Sequence, residues 1–326
     1  MLQPEGEEPV HRIGFILAPK FSMIAFVSAV EPLRLANSVT EHTHYAWMIL
    51  SVDGAPVTAS NGIQIAVDGD LESAGGVATV FVCTGVDAED FAGKPLLSWL
   101  RRRAAHGTAI GALCSGAYVL ARAGLLDDQH CTIHWENVAS FSEQFPEIDL
   151  TAELFEIGGS RYTCAGGTAV LDMMLHLITL QIGGDVAALV ADELIHHRIR
   201  EGRESQRMEL RTRIGVTHPK LLGVVGRMEE NLETPISGVE LAAAASLSAR
   251  QLERLFRKYL GVAPSRYYLR LRLNRSRFLL RQTSLPILAV AMATGFVSAS
   301  HFSKCYRENF ECTPSDERRM RMAVAS

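Results

Sequence analysis

Residues 109–123 read AIGALCSGAYVLARA: a short apolar run, then Cys114-Ser115-Gly116, then an amphipathic stretch. A cysteine at the sharp turn from a strand into a helix is lifted out of the sheet, and a glycine two places on lets the backbones pack closely. That is the geometry of a nucleophile elbow. The unpaired amides of the helix N-terminus stabilise negative charge on sulfur there, so the position favours thiolate character. The competing reading is a buried cysteine that packs as a small hydrophobe. Cys83, Cys131, Cys164, Cys305 and Cys312 are scattered, with no CxxC pair and no tight His/Cys cluster, which argues against a disulfide framework and against a zinc site. His196-His197 is no metal pair either, because neighbouring helical side chains point about 100° apart; it reads as a solvated helix end. No GxGxxG or GxxxxGK[ST] follows a predicted strand, so no nucleotide cofactor is expected.

A second group of side chains has the types and spacing to read nucleic acid. LSARQLERLFRKYLGVAPS (247–265) aligns without gaps on VSASHFSKCYRENFECTPS (297–315), an offset of 50 residues. Ser248 matches Ser298, Leu252 matches Phe302, Arg254 matches Lys304, Phe256 matches Tyr306, and Pro264-Ser265 matches Pro314-Ser315. An Ala-rich apolar helix precedes each copy (238–245 and 287–294), so each unit reads as helix, tight turn, helix. The second helix opens on a serine suited to capping. Leu252, Leu255 and Phe256, or Phe302, Cys305 and Tyr306, recur at helical spacing as its buried face. The opposite face carries Arg250, Glu253 and Arg254 in one copy and Ser300, Ser303 and Lys304 in the other, with Gln251 and His301 at the margins and Ser298 at the second N-terminus. Such groups hydrogen-bond to base edges when a helix N-terminus enters a major groove. Between the copies, SRYYLRLRLNRSRFLLR (265–281) reads as one helix roughly 25 Å long. A strut of that length holds two reading helices near the spacing of about 34 Å between successive major-groove faces.

Two kinds of architecture must position these groups. Residues 11–182 alternate apolar strands (12–18, 45–52, 78–83, 108–112, 161–164) with amphipathic helices (23–38, 95–106, 115–124, 135–144, 168–182). This is the pattern of an α/β fold: a flavodoxin-like parallel sheet with helices on both faces. An all-α domain of two helix-turn-helix units joined by a long helix follows. The expected domains are 1–200, a linker at 201–217 after a helix that runs to about Arg200, and 218–326. Charge divides the same way. From 217 to 326 there are 17 Lys and Arg against 9 Asp and Glu, about +8, which leaves about −12 for the rest of a chain whose net charge is −4. A basic module on an acidic body suits nucleic-acid binding. No apolar run reaches membrane-spanning length and the first twelve residues are acidic, so the expectation is a cytoplasmic protein without a membrane partner.

Residues 218–321 resemble the DNA-binding domain of AraC/XylS-type transcription regulators, and ATGFVSASHFSKCYRENFECTPSDERR (293–319) is similar to that family's signature throughout. Cys305, Cys312 and Asp316-Glu317 depart from it. GALCSGAYVLARAGLL (111–126) and TIHWE (132–136) resemble the PfpI-like, glutamine-amidotransferase-related superfamily, and the coupling of the two halves resembles the GlxA-like subclass of AraC-type regulators. The resemblance implies promoter DNA and RNA polymerase as partners, activation of transcription and a homodimer. In active PfpI-like members the elbow cysteine works with a downstream histidine and an acid after the first strand. Here Cys114 and His134 match, but Ser22 stands where a glutamate is expected, and a hydroxyl supplies neither useful basicity nor charge.

An enzyme is therefore not expected; the alternative is a cysteine-dependent hydrolase or glyoxalase with a DNA-binding appendage. The expected pocket lies beyond the strand ends, with Ser22, Cys114, Ser115, His134, Trp135 and Thr168 as candidates and Thr168 as the cap of the next helix. The subclass implies regulation of a catabolic operon and a small-molecule inducer such as arginine, carnitine or glycine betaine. Trp135 would give a quaternary ammonium a cation–π contact.

Overall fold

The computed structural model describes residues 10–85, 88–207, 209–283 and 285–324. The chain divides after Arg207 into two compact units.

The first is built on six strands: β1 (His11–Leu17), β2 (Tyr45–Leu50), β3 (Thr79–Cys83), β4 (Ala109–Leu113), β5 (Phe155–Gly158) and β6 (Arg161–Cys164). Their order is β2-β1-β3-β4-β6-β5, parallel except for the antiparallel β5–β6 hairpin at one edge. Side-chain alternation along each strand feeds two cores. Phe15, Leu17, Phe81, Cys83 and Leu113 point to one face, where helices α1 (Met23–Thr40), α4 (Ala169–Ile182) and α5 (Gly184–Glu193) cover them. Ile16, Val80, Val82, Ile110 and Ala112 point to the other, under α2 (Lys94–Ala105) and α3 (Ala117–Arg122). Both faces are covered, which is why these strands read as continuous apolar runs. Strand order reverses between β1 and β3, and in open α/β sheets ligands bind beyond the carboxyl ends of the strands at such a reversal.

Helix α5 stops at Glu193, short of the expected Arg200, and the chain reverses at Ile195, whose φ is 54°. His196 is consequently not at a solvated helix end. Its Nε2 lies 2.8 Å from Oδ1 of Asp172, a carboxylate wholly buried on α4. Arg200 reaches the same carboxylate through its backbone amide and its Nε, both at 2.8 Å. From here residues 201–207, expected as linker, run along the first unit: Leu154 N donates to Gly202 O at 2.7 Å and Ser205 pairs with Glu153. Residues 210–214 form a short helix on the other side of the division, where Arg213 bonds Glu229.

The second unit holds α6 (Pro219–Glu230), α7 (Gly238–Ala244), α8 (Ala249–Leu260), α9 (Pro264–Gln282), α10 (Ile287–Ala293), α11 (Ala299–Phe310) and α12 (Pro314–Val324). Each repeat buries the equivalent residues, Leu252 and Phe256 in one small core, Phe302 and Tyr306 in the other. Helix α9, 19 residues and about 28 Å long, contributes Tyr268 to the first core and Leu273, Leu279 and Leu280 to the second. Its arginines work inside the fold: Arg272 donates to Thr294 O at 2.7 Å and Gly295 O at 2.6 Å and lies 4.3 Å from the Phe296 ring centre.

Candidate functional site

Strand β4 ends at Leu113 and α3 starts at Ala117, so the chain must turn within three residues. Cys114 takes a left-handed φ of 63°, a conformation that costs a non-glycine residue about 1–3 kcal/mol and persists only where surroundings impose it. They do so here. A Cβ on Gly116 would sit 2.7 Å from Val82 O, and one on Gly166, itself at φ 96°, would sit 2.9 Å from Cys114 Cα. Only glycine lets β3 and the 165–168 loop close on the elbow. Cys114 N donates to Cys164 O at 3.0 Å.

The elbow is thus formed, but its chemistry differs from expectation. Burial pushes the Cys114 thiol up to about 11, against the opposing hydrogen bonds with Ser115. At pH 7 that leaves roughly one thiol in ten thousand ionised. Desolvation is the largest influence on the sulfur although the residue as a whole is only half-buried, and the nearby Glu136 carboxylate acts in the same direction. Burial also holds the His134 imidazole below its ordinary value, so it is neutral at pH 7. Among the described residues no hydrogen bond joins thiol and imidazole; their link runs through the backbone, His134 N donating to Cys114 O at 3.4 Å.

The remaining pocket candidates separate. Ser115 is 2% exposed, its hydroxyl donating to Gly85 O and paired with Thr84 Oγ1, so it locks β4 to the end of β3 rather than facing a ligand. Thr168 does not cap α4 with its side chain; its hydroxyl accepts from Arg200 Nη2 at 2.9 Å, a partner 32 residues away that local sequence does not reveal. Ser22 N donates to Thr84 O at 3.2 Å, which brings the end of β1 beside the loop that anchors Ser115. Trp135 is 41% exposed and its ring centre lies 5.7 Å from that of His134.

Three residues join this group that the sequence reading did not name. Glu136 Oε2 lies 3.6 Å from His134 Nδ1. Gln206 Nε2 donates toward Thr132 Oγ1, Ile133 O and Glu153 O at 2.9–3.0 Å. The Arg207 guanidinium stands 4.6 Å from the Trp135 ring centre. Only TIHWE carried a local signal, and that for Glu136 alone.

In the second unit the DNA-facing candidates form two helix faces. Ser248 Oγ accepts from Gln251 N, with Gln251 Oε1 accepting from Ser248 N in return, and Ser298 Oγ accepts from His301 N. Arg250, Gln251, Glu253 and Arg254 are exposed on α8; Ser298, Ser300, His301 and Lys304 are exposed at or on α11, with Ser303 half-buried. Some of this chemistry is already occupied. Glu253 accepts twice from Arg257, and His301 Nε2 lies 3.4 Å from Cys305 Sγ. Beside these faces, Arg257, Arg266, Arg270, Asn274 and Asn309 line a groove of about 650 Å³. Arg254→Ala and Lys304→Ala are each expected to weaken binding to specific DNA by about 1–3 kcal/mol and random DNA far less. Gel-shift titrations on both DNAs check this, equal weakening on the two meaning phosphate contact only.

An elbow at the carboxyl end of a parallel strand of an α/β unit, joined in one chain to paired capped helices linked by one long helix, defines a class: transcription regulators with a helix-turn-helix DNA-binding half. The comparisons agree. The DJ-1/PfpI family profile matches residues 11–180 and a helix-turn-helix domain profile matches 241–320. The HTH-type transcriptional regulator GbdR of Pseudomonas aeruginosa is 47% identical over 97% of this chain and 86% of its own. The HTH-type transcriptional regulator GlxA of Rhizobium meliloti is 40% identical over 95% and 96%. The crystal structure of an AraC family transcriptional regulator from Pseudomonas putida, 32% identical, superposes with a TM-score of 0.53 over 57% of this chain and all of that one. The chain belongs to the DJ-1/PfpI family and, with its AraC-type DNA-binding half, to the GlxA-like HTH-type transcriptional regulators. No helix among the described residues is long and apolar enough to cross a membrane.

Proposed function

We propose that the chain is a ligand-responsive activator of a catabolic operon, that a small amino-acid or quaternary-ammonium metabolite such as arginine, carnitine or glycine betaine binds beside the elbow, and that the protein is not an enzyme. The observation that carries this is the state of Cys114. A thiol held near 11, without an imidazole to take its proton, is a poor nucleophile, yet its strained turn is fully built. A binding crevice needs the shape and not the reactivity. His134 lies beside the elbow through its amide hydrogen bond to Cys114 O, Trp135 lies beside His134, and the partly exposed Trp135 ring already carries a guanidinium at 4.6 Å, so it suits a cation.

In this reading the protein acts in the cytoplasm as a homodimer, and the ligand favours one arrangement of the paired DNA-binding halves, from which RNA polymerase is contacted. Such a bias requires the ligand to bind that arrangement more tightly. The alternative, a cysteine-dependent hydrolase or glyoxalase carrying a DNA-binding appendage, draws support from Glu136, whose carboxylate could orient the His134 ring.

The test is calorimetric titration of the full chain with the three metabolites, followed by promoter footprints with and without the one that binds. Heat with one of them and a changed footprint are expected; no heat from any, or identical footprints, count against the reading. Cys114→Ala separates the alternatives: the sensor keeps promoter binding with altered induction, whereas an enzyme loses turnover.

A further inference from the structure

The residues just before the division between the two units are bound to the segment next to the Cys114 elbow. Gln206 and Arg207 sit on the segment that carries His134 and Trp135: the Gln206 amide bonds both Thr132 and Ile133, and the Arg207 guanidinium covers the Trp135 ring at 4.6 Å. The next residues in the chain lead directly into the DNA-binding unit.

We infer that Arg207 is a tethered occupant of the cation position on Trp135, and that a quaternary-ammonium ligand binds by displacing it. One face of one indole holds one cation, so the two states exclude each other. The inference rests on the ligand reading above and adds what the ligand must compete with.

Three observations support a displaceable contact. A cation–π contact contributes little by itself, and here it is favoured because the chain holds the guanidinium at high local concentration; a free ligand that adds contacts of its own beside the indole can replace it. The docked segment also carries a defect. Gln206 Oε1 is buried without a hydrogen-bond partner among the described residues, so release lets water meet an unsatisfied acceptor. Finally, the contact is at the end of the strap. His196 and Arg200 stay fixed on buried Asp172 whether or not Arg207 lifts, so undocking frees a few residues next to the DNA-binding unit without unravelling the first. Ligand occupancy at Trp135 thereby frees Gln206 and Arg207, immediately before that unit, which gives the ligand site a physical route to the DNA-binding half.

The experiment titrates the full chain with glycine betaine and with tetramethylammonium chloride, as wild type, Arg207→Ala, Arg207→Lys and Trp135→Leu. With its internal competitor gone, Arg207→Ala should bind both probes about 2- to 30-fold more tightly, the range that one cation–π contact represents. Arg207→Lys should fall between Arg207→Ala and wild type, and Trp135→Leu should lose binding. Cleavage after exposed Glu209 by a Glu-specific protease reads release directly. It should speed up in Arg207→Ala, in Trp135→Leu and in wild type saturated with probe, and the double variant should be cut no faster than either single one. Equal dissociation constants for wild type and Arg207→Ala, or cleavage unchanged by Arg207→Ala, overturn the competition while leaving a Trp135 ligand site standing. No heat from either protein with either probe overturns the quaternary-ammonium reading and the competition with it.

Discussion

Replacing Glu317 by alanine is expected to destabilise the second helix-turn-helix by about 1–3 kcal/mol, the range for leaving the buried Tyr306 hydroxyl without its partner, since the two guanidinium groups reach water. Glu317 is 2% exposed and collects Arg281 Nε at 2.6 Å, Tyr306 OH at 2.9 Å, Arg277 Nε at 3.1 Å and Cys312 Sγ at 3.3 Å. It therefore ties α12 to both α9 and α11. Without it the Tyr306 hydroxyl is left buried in an apolar core and two guanidinium groups lose their counter-charge. Because the two repeats have separate cores, the first should remain folded, and binding should drop to that of a single reading helix. Thermal melts followed by circular dichroism, with gel shifts on the same samples, check both parts. The charge has a pH signature. Burial pushes the Glu317 carboxyl up, but the hydrogen bonds from Arg281, Tyr306, Cys312 and Arg277 together outweigh it and hold the group below its ordinary value. The stabilisation is therefore complete above the ordinary glutamate value and is lost as pH falls through the lower folded-state value. Glu317→Gln should keep part of the network and flatten that acid limb; a limb identical to wild type would assign acid unfolding to other carboxylates.

Asp172→Ala is the counterpart in the first unit, where the charged partners are more deeply covered, and the expected cost is about 3–5 kcal/mol. This carboxylate is fully buried in the first turns of α4 and holds three groups: the His196 ring, the Arg200 amide and the Arg200 guanidinium. Its removal should free residues 194–200, and with them the Arg200 side chain that engages Thr168 beside the elbow. Denaturant unfolding of the first unit's helical signal should shift to lower concentration, and hydrogen exchange should rise across 194–200. Protection unchanged there would show that backbone pairing of Gly202 and Ser205, rather than Asp172, carries the segment. Asp172→Asn should cost less, since the amide oxygen still accepts from Arg200 N while its NH2 faces a guanidinium.

How much was legible follows from where each feature's cause lies. Strand β6 falls on the residues expected, and the other predicted strands are displaced by a residue or two at their ends, because buried parallel strands announce themselves as apolar runs. The two reading helices, their serine caps and the buried pairs Leu252/Phe302 and Phe256/Tyr306 followed from a repeat visible by eye. The edge strand β5 was not anticipated, since Phe155–Gly158 has no length or alternation to mark it and depends on pairing with β6.

The candidate site divides along the same line. The elbow at Cys114 was legible because strand, Cys-Ser-Gly and helix are contiguous. The reactivity of its thiol was not, because a pKa is set by everything packed around the sulfur, including Gly166 from a loop 52 residues on. Thr168 and His196 were misassigned for one reason: each takes its partner, Arg200 or Asp172, across more than 20 residues. Local rules for caps and solvated helix ends yield to such contacts.

The sequence by itself determined the division into an acidic α/β body and a basic pair of helix-turn-helix units, the elbow, and the equivalent exposed faces of the two repeated helices. All of these are periodic or contiguous, and short-range sterics and apolar spacing suffice to produce them. Only the tertiary structure decided that the thiol is protonated, that Ser115 and Thr168 are turned to structural partners, and that Gln206 and Arg207 lie on the segment bearing Trp135. Desolvation, buried charge pairing and the docking of a remote segment depend on which parts of the chain meet, and no local pattern encodes that meeting.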